Sequence, residues 1–218
     1  MDEYKNILSQ SILFRELEGE KLLRALDFFE VERKFHRRGS FLNTISSPLP
    51  RFGLVLSGLV RVHRDDINGN HMILANISPG GTFGESLCYL GKDADVYITA
   101  VTDSEVLWMR TANLRDPARV CEGDGMLLSG RFTAMLAERA LSMNERIQTL
   151  SQMTIRGKLY AFFSQYSTHT RPDTFEVPFD RGSMAHYLGT DRSALSRELC
   201  RMRDEGLLEF SGNRFTLL

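Results

Sequence analysis

The residues best suited to chemistry in this chain gather near its C-terminus, in the run DRSALSRELCRMRDEG that begins at Asp191. Leu195, Leu199 and Met202 recur there at spacings of four and three, so a helix would place them on one apolar stripe and turn their neighbours outward. Those neighbours are Arg192, Ser193, Ser196, Arg197 and Arg201. A guanidinium carries a planar fork of donors that fits a phosphate or a guanine edge, and a serine hydroxyl can donate or accept. With Arg181 upstream, the span Arg181 to Arg203 holds five arginines against Asp191 and Glu198. Such a face can recognise a polyanion. The plainer reading is a small helical bundle with a solvated arginine face, which would show the same apolar spacing.

The elements needed to hold that face decide between the two. Asp180 and Asp191 are each placed to cap a helix, because a short carboxylate accepts from the first free backbone N–H groups. Between them Leu188-Gly189-Thr190 forms a turn whose glycine can take the left-handed conformation. Gly206 ends the second helix, Leu207 to Phe210 suit a short strand, and Ser211-Gly212-Asn213 returns the chain into Phe215 to Leu218. Helix, glycine turn, helix and two-stranded wing make a winged helix-turn-helix, and the expected ligand is DNA.

The whole chain narrows what surrounds this motif. Its 218 residues suffice for two modest domains, and 27 basic against 28 acidic residues exclude a diffuse electrostatic binder. Residues 151–218 hold nine basic and eight acidic side chains, so any contact with DNA must come from a local patch. Cys88, Cys121 and Cys200 form no pair or cluster, which argues against a disulfide framework, an iron–sulfur site or a zinc site and suits a reducing cytoplasm. Cys88 and Cys121 read as packing residues. The polar, acidic start MDEYKNILSQ and the lack of an apolar run near the ~18 residues of a membrane span predict a cytoplasmic protein with no membrane partner.

Upstream of the motif the hydrophobic period changes twice. Ile12 to Phe29 reads as an amphipathic helix interrupted at Gly19. From Val31 to Met109, short β-branched and aromatic runs alternate with turns, Asn68-Gly69 being a strong hairpin tip; Leu54 to Val62, His71 to Ile77 and Val96 to Met109 fit strands of a barrel or jelly roll. A long helix over Asp124 to Gln152 follows, with Phe132, Leu136, Ala140, Met143, Ile147 and Leu150 on one narrow stripe suited to pairing with a second copy. Thr154 caps a further helix from Ile155 to about Tyr166. The expected fold is α+β: a sensing β-roll over residues 1–123, a dimerisation helix over 124–152 and a winged helix-turn-helix over 153–218.

A roll, a pairing helix and a C-terminal winged motif, with GTDRSALSREL at Gly189 to Leu199 as the most specific part, resemble the catabolite-activator and fumarate–nitrate (Crp–Fnr) family of bacterial transcription regulators. Pro79-Gly80-Gly81-Thr82-Phe83-Gly84-Glu85 looks like that family's glycine-rich turn and Gly-Glu pair. The resemblance implies a homodimer on a palindromic operator, with RNA polymerase as a candidate partner. Arg192, Ser193, Ser196 and Arg197 would occupy the base-contact places, Arg181 a phosphate contact, and Arg201 a place beside them. It assigns effector binding to Gly84, Glu85, Ser86, Met143 and Asn144. In cyclic-AMP-binding members the glutamate takes the ribose hydroxyl and a following Arg-Ser pair clamps the phosphate. Here that place reads Ala94-Asp95-Val96-Tyr97, Asp95 would repel a phosphate, and Met143-Asn144 replaces the adenine-contacting Thr-Ser. The cysteine set of the iron–sulfur branch is missing, and His36, His63 and His71 are too scattered for a haem or metal site. The expectation is therefore no catalytic residue, no metal, no cofactor and an unidentified small-molecule effector other than cyclic AMP. A module acting on a protein partner, or a cupin-like barrel enzyme, are the alternatives.

Overall fold

The computed structural model describes residues 4–65, 71–167, 173–177 and 179–218, and it divides into two units, Met1–Glu138 and Arg139–Leu218. Two antiparallel sheets build the first. One runs in the order β1 (Glu32–His36), β8 (Ser104–Met109), β3 (Phe52–Ser57), β6 (Thr82–Phe83); the other runs β2 (Phe41–Asn43), β7 (Tyr97–Ala100), β4 (Val60–Asp65), β5 (His71–Ile77). Successive side chains on a strand face opposite ways. On β3 and β8, Phe52, Leu54, Leu56, Leu107 and Met109 therefore enter one core, shared with α2 (Gly19–Phe28) and with Leu128, Phe132 and Met135 of α5 (Gly125–Leu150). Val55, Val106 and Trp108 enter a second core inside the roll, with Val60, Phe83, Val96 and Ile98. Both faces of β3 are covered, which is why its sequence is a continuous apolar run without polar alternation.

Glycine explains where the strands differ from the sequence expectation. The run Leu54 to Val62 is two strands, because Gly58 takes φ +83 and a Cβ there would lie 2.3 Å from the Asp103 carbonyl oxygen. Val96 to Met109 also splits, into β7 and β8, but there the break is the bend Val101-Thr102-Asp103, without a glycine. Of Ile12 to Phe29, only Gly19–Phe28 is helical; Glu16 and Gly19 both take positive φ and break the run. The Asn68-Gly69 tip lies outside the described residues.

In the second unit α6 (Ile155–Phe163), α7 (Arg181–Tyr187) and α8 (Arg192–Asp204) pack on a three-stranded antiparallel sheet in the order β10 (Leu208–Ser211), β11 (Arg214–Leu217), β9 (Asp173–Glu176). The core joins Leu159, Phe162 and Phe163 of α6 to Leu195, Leu199 and Met202 of α8, with the Phe163 and Phe215 rings 4.7 Å apart. The fold class is α+β. The division between the two units falls within α5, between Glu138 and Arg139, inside the segment read from sequence as a separate dimerisation helix.

Candidate nucleic-acid interface

The recognition face begins with its cap. Asp191 Oδ1 accepts from the backbone N–H groups of Ser193 at 2.8 Å and Ala194 at 3.0 Å and from the Ser193 hydroxyl, which together hold its carboxyl below the usual range. Arg197 Nη1 in turn donates to Ser193 Oγ at 3.3 Å. Asp191, Ser193 and Arg197 thus form a short chain that orients the arginine before any ligand arrives. Ser196 Oγ donates back to the Arg192 carbonyl at 2.9 Å, and Arg192, Ser193 and Arg197 are exposed. Asp180 caps α7 by accepting from Ser183 N at 2.7 Å, and Gly189 makes the turn at φ +57. Four of the six arginine and serine positions read from sequence therefore share one open face at the start of α8.

The other two are engaged. Arg201 Nη1 donates to Glu198 Oε2 at 2.9 Å. Arg181 corrects the expectation of a phosphate contact: its guanidinium lies 4.8 Å from the ring centres of both Phe210 and Phe215, with Nη1 buried and without a hydrogen-bond partner among the described residues. Burial pushes its pKa below the ordinary arginine value. The side chain stacks the wing onto α7 and does not present a fork to solvent.

Two residues that the sequence reading missed hold the motif from behind. Arg156 Nε donates to Glu198 Oε1 at 2.6 Å, and its Nη1 and Nη2 donate to the two oxygens of Glu205 at 2.7 and 2.9 Å. This fork raises the pKa of Arg156 and lowers that of Glu205. Lys158 Nζ donates to the carbonyls of Leu188 at 2.9 Å and Gly189 at 3.4 Å, at the turn itself. One helix, α6, therefore grips both ends of the motif. Its own start is capped by Thr154, whose hydroxyl accepts from Gly157 N at 3.0 Å.

On the roll, Gly84 is the N-cap of α3 (Glu85–Leu90) at φ +79, and a Cβ there would lie 2.3 Å from Leu49 Cδ2. Glu85 is only 3% exposed and accepts from the Thr82 hydroxyl, whereas Ser86 faces solvent. The irregular segment before β7 corrects the part given to Asp95. Ala94 is the inward residue, 2% exposed, while Asp95 points outward and pairs with Arg64 at 3.5 Å. Asp95 is therefore not an inward carboxylate. Met143 and Asn144 lie in the second unit and are exposed on α5. His36 Nε2 accepts from Trp108 Nε1 at 3.2 Å, and His63 stacks on Tyr97 at 5.3 Å. The His71 side chain lies outside the described residues. Cys88 is buried, but Cys121 is exposed and so is not the packing residue expected.

The α5 stripe divides. Phe132 is buried against Phe52 and Tyr89, and Leu136 packs on the same core, so both belong to their own roll and leave the predicted pairing face. Ala140, Met143, Ile147 and Leu150 remain exposed. Beside them Leu127, Gly130, Ala134, Ala137 and Leu141 are also exposed at alternating spacings of three and four. That heptad spacing was present in the sequence but overlooked beside the larger stripe residues.

A family model described as the cyclic nucleotide-binding domain matches residues 33–118, and one described as the Crp-like helix-turn-helix domain matches residues 157–218. The chain belongs to the Crp–Fnr family. The Cyclic AMP receptor protein of Thermus thermophilus is 27% identical over 199 residues, 91% of this chain and 88% of that protein. Among solved structures, a CooA mutant from Carboxydothermus hydrogenoformans aligns with a TM-score of 0.67 at 22% identity, covering 94% of this chain and 90% of the other. FixK2 from Bradyrhizobium japonicum aligns at 0.60 and 20% identity, covering 86% and 92%. At these identities the structures speak for the fold alone. As a Crp–Fnr regulator, the chain combines an effector-binding domain with a DNA-binding helix-turn-helix domain. Among the described residues no helix is long and apolar enough to cross a membrane.

Proposed function

We propose that this regulator acts as a homodimer, takes a small-molecule effector other than cyclic AMP inside its roll, and reads a palindromic operator with Arg192, Ser193, Ser196 and Arg197. The effector reading rests on the inward position of Ala94. Glu85 is the one charged side chain buried in the described part of the first unit, and no lysine or arginine is buried with it. A phosphate entering the roll would find no buried lysine or arginine among the described residues of this unit to neutralise it, which disfavours its burial. An effector suited to this interior offers a donor to Glu85 and an apolar body to Val96 and Ile98. The cyclic AMP named for the Thermus thermophilus relative therefore does not carry over to this chain's ligand.

The dimer reading rests on Met143 and Ile147, 60% and 59% exposed on a long helix. A contiguous apolar face of this kind is stable in water when a second copy covers it. Calorimetry with cyclic AMP tests the effector reading: no saturable heat is expected, and micromolar binding would overturn it. Selection from random-sequence DNA should return inverted half-sites with a guanine opposite Arg197. A single unpaired half-site would remove the dimeric reading and leave the DNA-binding assignment intact.

A further inference from the structure

A groove of about 340 Å³ opens on the first unit beside the short helix α3. Its volume lies within the range of small-molecule pockets, at the lower end. Leu49, Pro50 and Cys88 contribute apolar floor, and Lys92, Arg110 and Arg115 contribute the charge, with no aspartate or glutamate in the lining. Arg110 already pairs with Glu30 at 3.2 Å. Lys92 and Arg115 make no ion pair among the described residues, so their charges are available to a ligand. Thr111 adds a polar point at depth: it is 2% exposed, and its hydroxyl meets the Cys88 thiol at 3.4 Å. A thiol is a weak partner for a hydroxyl, which leaves Thr111 Oγ1 able to donate to a better acceptor.

An apolar floor, a buried hydroxyl and two unpaired cations at the rim fit one class of molecule. We propose that this groove binds a small organic carboxylate with an apolar body, the carboxylate meeting Lys92 and Arg115 and the body lying on Leu49, Pro50 and Cys88. Leu49 also packs in the core inside the roll, but the proposal does not depend on what that interior holds. It does bear on it. Cys88 N donates to the Gly84 carbonyl at 2.9 Å, so the groove lies against the short helix α3 that also carries Glu85. Occupancy of the groove is thus a second input to the turn that presents Glu85.

The test uses the full chain and 2-naphthoate as the probe. Calorimetry should give saturable binding, and 2-naphthalenemethanol, of the same shape without the charge, should bind about tenfold more weakly or worse, which is roughly the effect of 1.4 kcal/mol. The double variant Lys92→Glu, Arg115→Glu should lose binding to a similar extent or more. Mass-spectrometric mapping of thiol alkylation locates the site: naphthoate should slow modification of Cys88 and leave exposed Cys121 unchanged. Absence of heat at millimolar probe, equal binding of the alcohol, wild-type affinity in the double variant, or unchanged alkylation of Cys88 would each overturn the proposal.

Discussion

Asp191 and Glu85 stand in corresponding places, each at the start of a helix and close after a glycine turn, yet one is exposed and the other almost fully buried. Asp191 is accounted for by its own helix, since two N–H groups and a neighbouring hydroxyl use its oxygen. It serves as scaffold, and the arginines beside it face outward to meet a large, pre-existing surface. Glu85 is buried beside the Thr82 hydroxyl, and on the proposed reading that unit turns its chemistry inward, to something small enough to enter. The contrast separates a reader of an external polymer from a receiver of an enclosed ligand within one chain.

Disrupting pairing should have the largest effect on the reader. Met143→Glu combined with Ile147→Glu is expected to give monomers in sedimentation and to weaken operator binding by about a hundredfold or more, because the second half-site then no longer binds intramolecularly. A double variant that still sediments as a dimer would move pairing to the Leu127–Leu141 face. Next in size, Arg197→Ala should cost about 1–3 kcal/mol and relax preference at one base position. Selection of binding sites by this variant reads the outcome directly, and an unchanged preference would take Arg197 out of base recognition.

Arg181 sharpens the contrast between scaffold and contact. Arg181→Ala should lower the melting temperature of the second unit by removing a stack worth about 0.5–2 kcal/mol, while the dependence of operator affinity on salt stays as in the wild type. A phosphate contact would instead reduce the salt slope by about one. The smallest effect concerns pH. Asp180, Asp191 and Glu205 all have pKa values lowered in the fold by hydrogen bonds, so their contribution is present above the unfolded carboxylate value and is lost as pH falls through the folded one. Stability of the second unit should be level above about pH 5 and decline below about pH 4, only modestly because these groups are exposed and screened. Asp191→Asn should flatten part of that decline in melting curves.

The motif around α8 was legible because it is local. Its caps, its glycine turn and the 4–3 spacing of Leu195, Leu199 and Met202 are all set within a few residues, and each recurs in the structure. The roll was legible in kind but not in detail. β3 is covered on both faces, which erased the alternation that marks a half-buried strand, and Gly58 hid a chain reversal inside one apolar run. Arg181 and Phe132 were misread, and Arg156 missed, for a different reason. A stack on Phe210, a fork onto Glu198 and Glu205, and a contact with Phe52 all join positions far apart in sequence, and no spacing rule encodes them. The buried place of Ala94 next to exposed Asp95 lies in an irregular segment before β7, where no periodicity in the sequence encodes it.

The hold of Arg156 and Lys158 on the motif bears on how such a regulator can diverge. Both grips reach α8 and its turn through Glu198, Glu205 and two backbone carbonyls, none of which belongs to the Arg192–Arg197 face. On the proposed reading, substitutions at positions 192, 193, 196 and 197 would change which operator is preferred without touching the mount that aims the helix. Copies of the gene could acquire new target sites one base contact at a time while every intermediate remains folded and correctly aimed.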